Sequence, residues 1–282
     1  WLFVLVPLLV LSFDRRHWKR TVGLAGGFLV FFLLTTEWTS VVFPGGEPGQ
    51  PGTIRLVTWN ISGNRRVLDE LEALEPDICF LQETPDGQAS FSDESLTGYW
   101  EGFAWYDAGD CGMLSRFPME PVPMDYVGPW TPPQAATTVL PTSRTVLLVN
   151  VRLMLPSLVL NPLSQEGRRR LAEDNRVRRE QFVEIARAIR SKADETGAEE
   201  IILAGDFNTP ARMASVAPLE DFLRDAWLEA GRGRGATITA SFPVARIDQV
   251  WVSEGIDPTA AWVEDTQASD HRILMTEIRS EE

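Results

Sequence analysis

Histidine and cysteine are nearly missing from this chain, two of each in 282 residues. Without clustered thiolates and imidazoles there is no disulfide framework and no Cys- or His-rich zinc site. His17 belongs to a short basic stretch near the start, so His271 is the sole imidazole of all that follows, which excludes chemistry that needs two. Cys79 and Cys111 lie in strand-like apolar runs and read as buried thiols, a single bridge between them being the alternative in an oxidising compartment. Positive charge is scarce too: 26 Lys and Arg against 40 Asp and Glu give a net charge of −14. Residues 1–43 hold four basic side chains (Arg15, Arg16, Lys19, Arg20) and two acidic ones (Asp14, Glu37), so +2 falls there and −16 on the remainder. A domain that acidic repels polyanions at long range, which disfavours sequence-blind binding to nucleic acid. There is no internal repeat and no low-complexity segment.

Long hydrophobic runs are short of the roughly 20 residues that span a bilayer, yet two come close. Residues 1–13 (WLFVLVPLLVLSF) and 21–36 (TVGLAGGFLVFFLLTT) carry no charge, and the second continues past Glu37 and Trp38 to Phe43. Flanking the loop DRRHWKR, they read as a transmembrane hairpin over 1–43, a core hairpin or signal sequence being the alternatives. The chain opens at Trp1, not methionine, so a truncated or processed first helix is expected. The basic loop 14–20 belongs in the cytoplasm by the positive-inside rule, which puts everything after Phe43 outside it. PGGEPGQPG (44–52) has the composition of a flexible linker, and 53–282 is the catalytic domain.

In that domain strands are expected at 54–59, 77–82, 111–116, 144–153, 201–205, 246–253, 259–264 and 272–278, and helices at 65–74, 173–192 and near 216–223. Strands outnumber helices and some follow one another directly. Two packed mixed sheets with helices outside suit this better than a doubly wound sheet.

Four segments stop an apolar strand at a polar residue: TWNISG (58–63), LQET (81–84), GDFNTP (205–210) with RIDQVWVS (246–253), and SDHR (269–272). They supply Asn60, Glu83, Asp206, Asn208, Asp248, Asp270 and His271, all delivered to a sheet rim, where such sites are built. Oxygen donors without clustered His or Cys favour a hard cation, Mg2+ or Mn2+. Each motif alone is weak, but their order and spacing together resemble the endonuclease/exonuclease/phosphatase superfamily across about residues 53–279. CGMLSRFP (111–118) and the pair Arg178 and Gln181 are similar to further marks of that family.

The resemblance implies a four-layer α/β/β/α sandwich that hydrolyses phosphoester bonds with a divalent metal. It implies Glu83 as principal metal ligand with Asn60 beside it on metal or phosphate, and Asp270 completing the metal and water network. Asp206 would orient and deprotonate the attacking water, and Asn208 would bond a phosphate oxygen. His271, held in its working tautomer by Asp248, would stabilise the phosphoryl oxygen or leaving group. One position departs: Arg152 stands in VNVRL where many relatives carry histidine, and a guanidinium clamps phosphate oxygens but gives up no proton. Arg152 should therefore point into the pocket and pair with its acidic residues.

Substrate is less legible. The apolar segment LMLPSLVLNPL (153–163) reads either as folded inward or as a lip dipping into lipid, with Arg168, Arg169 and Arg170 close behind it. The expected partners are the bilayer and a phosphorylated lipid, a phospholipid or a lipid-linked pyrophosphate, with no protein partner called for. An extracytoplasmic nuclease acting on nucleic acid, and an inactive membrane-tethered binding module, are the other readings.

Overall fold

The computed structural model describes residues 45–64, 67–85, 97–128, 130–155 and 164–280, together with Gly26. Two compact units divide the chain, Trp1–Val41 and Val42–Glu282. The expected membrane hairpin over 1–43 lies, apart from Gly26, outside the described residues, as does most of the apolar segment 153–163. Among the described residues no helix is long and apolar enough to cross a membrane.

The second unit begins with β1 (Ile54–Asn60), α1 (Leu68–Glu72), β2 (Ile78–Gln82), β3 (Ala104–Ala108), β4 (Cys111–Ser115), β5 (Met119–Pro121) and β6 (Gln134–Val139). It continues through β7 (Thr145–Arg152), α2 (Gln165–Thr196), β8 (Glu200–Asp206), α3 (Ala217–Glu220), β9 (Arg224–Asp225), α4 (Ala226–Ala230), β10 (Asp248–Val252), β11 (Ile256–Glu264) and β12 (Ile273–Ser280). The strands form two six-stranded sheets, ordered β11-β12-β1-β2-β4-β3 and β5-β6-β7-β8-β10-β9. Each holds one parallel pair, β1 with β2 and β7 with β8, and every other pairing is antiparallel. Parallel neighbours need a crossover, and α1 and α2 provide one for each sheet.

Alternation along the strands divides the core into layers. Leu56, Phe80, Met113, Leu148, Ile202 and Val250 fill the space between the sheets. Leu147, Val149, Leu203 and Trp251 face outward and meet Phe182, Ile185 and Ile189 of α2. On the other side Val57, Trp59, Leu81 and Leu114 pack with Leu71 of α1 and with Trp100 and Phe103. The expected sandwich of two mixed sheets is thus present. Among the described residues its two outer layers are unequal, a 32-residue helix on one side and a five-residue helix with a short 3-10 turn on the other.

The long helix starts eight residues before the expected 173, because Ser164 caps it by accepting from the Gly167 N–H at 2.9 Å, and it stops where Gly197 turns left-handed at φ 66°. Four strands were not expected. β5 and β9 have only three and two residues, β3 is half-buried throughout, and β6 (QAATTV) is built from small and polar side chains. The two cysteines are free and buried. Cys79 packs on the outer face of the first sheet, whereas Cys111 shares its parity on β4 with the inward-facing Met113, so the two thiols sit on opposite faces and cannot be bridged. The described part of the Gly/Pro-rich linker lies against this unit: Gly46 N–H donates to Ala230 O at 3.2 Å and Gly49 N–H to the Glu277 carboxylate at 2.8 Å.

Candidate active site

Reading each inward-facing row by twos locates the site. Leu56 is followed by Thr58 and Asn60, Phe80 by Gln82, Leu148 by Asn150 and Arg152, and Ala204 by Asp206, while Asp248 precedes Val250. The inter-sheet core therefore turns polar at one rim. The pairing aligns the row: Asn60 is opposite Gln82, Arg152 opposite Asp206, and Asp206 opposite Asp248.

Beneath the rim runs a buried amide layer. Gln82 Nε2 donates to Thr58 Oγ1 (3.2 Å) and to Asn150 Oδ1 (2.8 Å). Asn150 Nδ2 donates across to Leu81 O (2.9 Å) and Gly112 O (3.0 Å) of the facing sheet. Above it Asn60 Nδ2 bridges Glu83 Oε1 and Asp206 Oδ2, both at 3.0 Å. Asp206 also accepts the Asn208 backbone N–H at 2.9 Å and Asn208 Nδ2 at 3.1 Å, and that amide donates to Leu153 O as well. His271 Nδ1 lies 2.9 Å from Asp248 Oδ2. Asp206 and His271 were expected at the sheet rim; they stand there, but at 1% and 6% exposure both are buried.

The charges follow from this packing. Burial first, then the facing Asp248, push the Asp206 carboxyl up to about 7, against the pull of His271 and the amide donors. Burial lowers the His271 imidazole, but contact with Asp248, helped by Asp206, outweighs it and raises the group to about 9. The packing thus favours the imidazolium form of His271 on Asp248 and raises the proton affinity of the Asp206 carboxyl beside it.

Two donor sets suit a cation. One ligand atom each from Asp206, Asp248 and His271 lies within 4.8 Å of the others, and Asp248 Oδ1 is buried with no hydrogen-bond partner. Glu83 and Asn60, the pair assigned from sequence, are also together. Asp270 is exposed and accepts from Ser62 Oγ at 2.6 Å, and the Ser62 N–H in turn donates to Asn60 Oδ1 at 3.0 Å. These oxygen-rich donors fit Mg2+ or Mn2+.

Arg152 does point into this rim, donating from Nη2 to Glu83 Oε1 and from Nη1 to Asp110 Oδ2, each at 2.7 Å, with its guanidinium 5.9 Å from the centre of the Trp130 ring. Asp110 and Trp130 were missed in the sequence. Asp110 had a signal, since it immediately precedes the strand of CGMLSRFP; Trp130 had none. The Arg178 and Gln181 pair is buried on α2, and Gln181 Oε1 accepts the Met154 N–H at 3.4 Å beside the Leu153 carbonyl that holds Asn208. In RIDQ, Arg246 pairs with buried Asp225 and Gln249 Nε2 donates to Thr209 O at 2.5 Å, so the motif also holds the loop after Asp206.

Fold and rim together define the class: an α/β sandwich of two six-stranded sheets with an acidic site where the inner faces end. The chain belongs to the Endonuclease/Exonuclease/phosphatase family, whose model matches residues 57–271. Members of that family are hydrolases of phosphoester bonds. Similar solved structures include an endonuclease/exonuclease/phosphatase from Beutenbergia cavernae DSM 12333 (21% identity over 81% of this chain and 72% of that one, TM-score 0.53). A family protein from Bacteroides thetaiotaomicron is similar at 16% identity, 82% and 98% coverage and TM-score 0.58. The human Nocturnin catalytic domain with bound sulfate is similar at 15% identity, 81% and 94% coverage and TM-score 0.54. At these identities the likeness is one of fold. No curated protein matches the chain.

Proposed function

We propose that this chain is a phosphoesterase dependent on Mg2+ or Mn2+ that hydrolyses a phosphoester or pyrophosphate bond of a membrane-borne lipid on the extracytoplasmic side. The observation that carries the hydrolytic reading is Asp206, buried, held by Asn60 and Asn208, and facing the His271–Asp248 pair. When bound, the metal supplies charge neutralisation at the phosphate oxygens. Asp206 takes the proton of the attacking water, a task for which burial and the facing Asp248 raise its proton affinity. His271, held as imidazolium by Asp248, donates to the oxygen on which charge develops. Asn60 and Asn208 fix the Asp206 carboxylate for that transfer.

The lipid part of the reading rests on the two apolar runs around a basic loop in 1–43 and on the net charge of −14, which disfavours polyanions. Exposed apolar side chains close to Arg152, Trp130 beside its guanidinium and Leu155 three residues further on, support it further. The test is hydrolysis by the purified chain, with and without Mg2+, of a lipid-linked pyrophosphate, a phospholipid, a soluble diester and a DNA oligonucleotide, read by separating each substrate from its cleavage products. Preference for DNA would replace the lipid reading with a nuclease, and no metal-dependent cleavage of any of the four would overturn hydrolysis. For location, a reporter fused after Glu282 is expected to be active only outside the cytoplasm; cytoplasmic activity would reverse the topology.

A further inference from the structure

Glu83 Oε1 is already taken. It accepts from Asn60 Nδ2 at 3.0 Å and from the Arg152 guanidinium at 2.7 Å, and its own backbone is left-handed at φ 53°, a conformation a glutamate adopts only where its surroundings impose it. Arg152 is anchored at its other end by Asp110 and flanked by Trp130, while its Nε is buried with no hydrogen-bond partner. A guanidinium keeps its charge at every pH at which the protein is folded, so it cannot step aside by losing a proton, as a histidine would. A divalent cation on Glu83 therefore meets a fixed positive charge on the same carboxylate.

We infer that Arg152 couples cation binding to oxyanion binding at this rim, each strengthening the other. A cation on Glu83 displaces the guanidinium from Oε1, and Asp110 keeps hold of Nη1, so the group pivots and stays in the pocket. It then lacks an anionic acceptor at Nη2 and at Nε, and a tetrahedral oxyanion offers two oxygens in the spacing a guanidinium fork matches. The oxyanion completes the pairing the cation has broken, and the cation frees the fork the oxyanion needs. Such coupling is reciprocal and typically amounts to roughly 5- to 150-fold in affinity. The consequence is a site that holds its metal weakly until a phosphate group arrives. This rests on the metal-dependent reading proposed above.

Calorimetric titration of the 282-residue chain with Mn2+ tests it, using sulfate, which complexes Mn2+ only weakly, as the oxyanion. Sulfate is expected to tighten Mn2+ binding by about tenfold in the unaltered chain. In Arg152→Gln, Mn2+ should bind more tightly than in the unaltered chain without sulfate, and sulfate should change it by less than about twofold. Arg152→Lys, which keeps the charge, should retain part of the coupling and serves if the glutamine variant does not fold. Equal tightening by sulfate in the unaltered chain and the Gln variant would overturn the proposal, as would Mn2+ affinity that Arg152→Gln leaves unchanged. Absence of Mn2+ binding beside continued substrate cleavage would overturn both the coupling and the metal requirement while hydrolysis stands. Intact coupling without any substrate cleavage would support the coupling and sink the hydrolytic reading.

Discussion

At the scale of single residues, the site stores an electrostatic conflict that the rest of the sandwich sustains. Asp206 and Asp248 face each other across an antiparallel pair, both buried, and His271 and the amides of Asn60 and Asn208 offset their charges. Asp206→Asn preserves shape and removes one carboxylate from that conflict. Turnover should fall by about 10²–10⁴, the usual worth of a positioned base, while the melting temperature at pH 8 holds or rises; a marked loss of stability would mean Asp206 is structural. His271 carries the opposite sign. Its folded pKa of about 9 lies above the ordinary 6.5, so its pairing stabilises fully below about 6.5 and loses that contribution as pH climbs through about 9. The gap in unfolding free energy between the metal-free unaltered chain and His271→Gln should therefore shrink from pH 6 to pH 10, by on the order of 2–3 kcal/mol. A gap that stays constant with pH would show that the pair does not titrate as charged groups. Asn60, Asp206, Asn208, Asp248 and His271 were legible in the sequence because each lies at or beside one end of an apolar strand. Asp110 was missed although it immediately precedes β4, and Trp130 carried no signal because its place beside Arg152 is decided by loop packing.

At the scale of elements, the parallel pair β7 and β8 sets the distance between Arg152 and Asp206, and Gly205 permits it. Its φ of 144° and a Cβ that would come within 2.0 Å of Val151 O leave no room for any side chain. Gly205→Ala should force the strands apart and cost at least about 3 kcal/mol, as overpacking against backbone does. Gly197, which ends α2 at φ 66° with nothing within 4 Å of an added Cβ, provides the contrast. Its alanine variant should lose only about 1 kcal/mol, the strain of a left-handed alanine. Urea unfolding of the two variants side by side checks both, and equal losses would mean that the β7–β8 spacing yields. α2 could be read from its buried stripe, and the long strands from unbroken apolar runs, which they need because both of their faces are buried. The short edge strands could not, because two or three residues carry no period and their pairing is decided by the strand beside them.

At the scale of the whole molecule, the two sheets meet through an apolar core that gives way to an amide layer just below the site, and Asn150 joins them there. From the second sheet it donates to the Leu81 and Gly112 carbonyls of the first, accepts from Gln82 Nε2, and lies 3.3 Å from Gln134 Oε1. None of these groups reaches solvent, so removing the amide leaves several buried polar atoms without partners, each costing about 1–3 kcal/mol unless water enters. Asn150→Ala should therefore destabilise by about 2–4 kcal/mol, a loss that volume alone does not explain. Asn150 contacts none of the proposed catalytic groups, yet Gln82 adjoins Glu83 and Arg152 lies two residues along the same strand, so loosening the joint should spread Glu83, Asn60 and Arg152 apart. The expected kinetic result at a temperature where the variant is still folded is a fall in kcat, because alignment of groups from the two sheets is what the joint maintains. Asn150→Asp separates the two roles, since it keeps the shape but turns two donors into acceptors facing carbonyls. It should be less stable than Asn150→Ala at pH 8 and recover as pH falls and the carboxyl protonates. If Asn150→Ala unfolds at lower urea but, while folded, turns over as fast as the unaltered chain, the sheets hold their relation without this layer, and the geometry of the site must be fixed within each sheet separately.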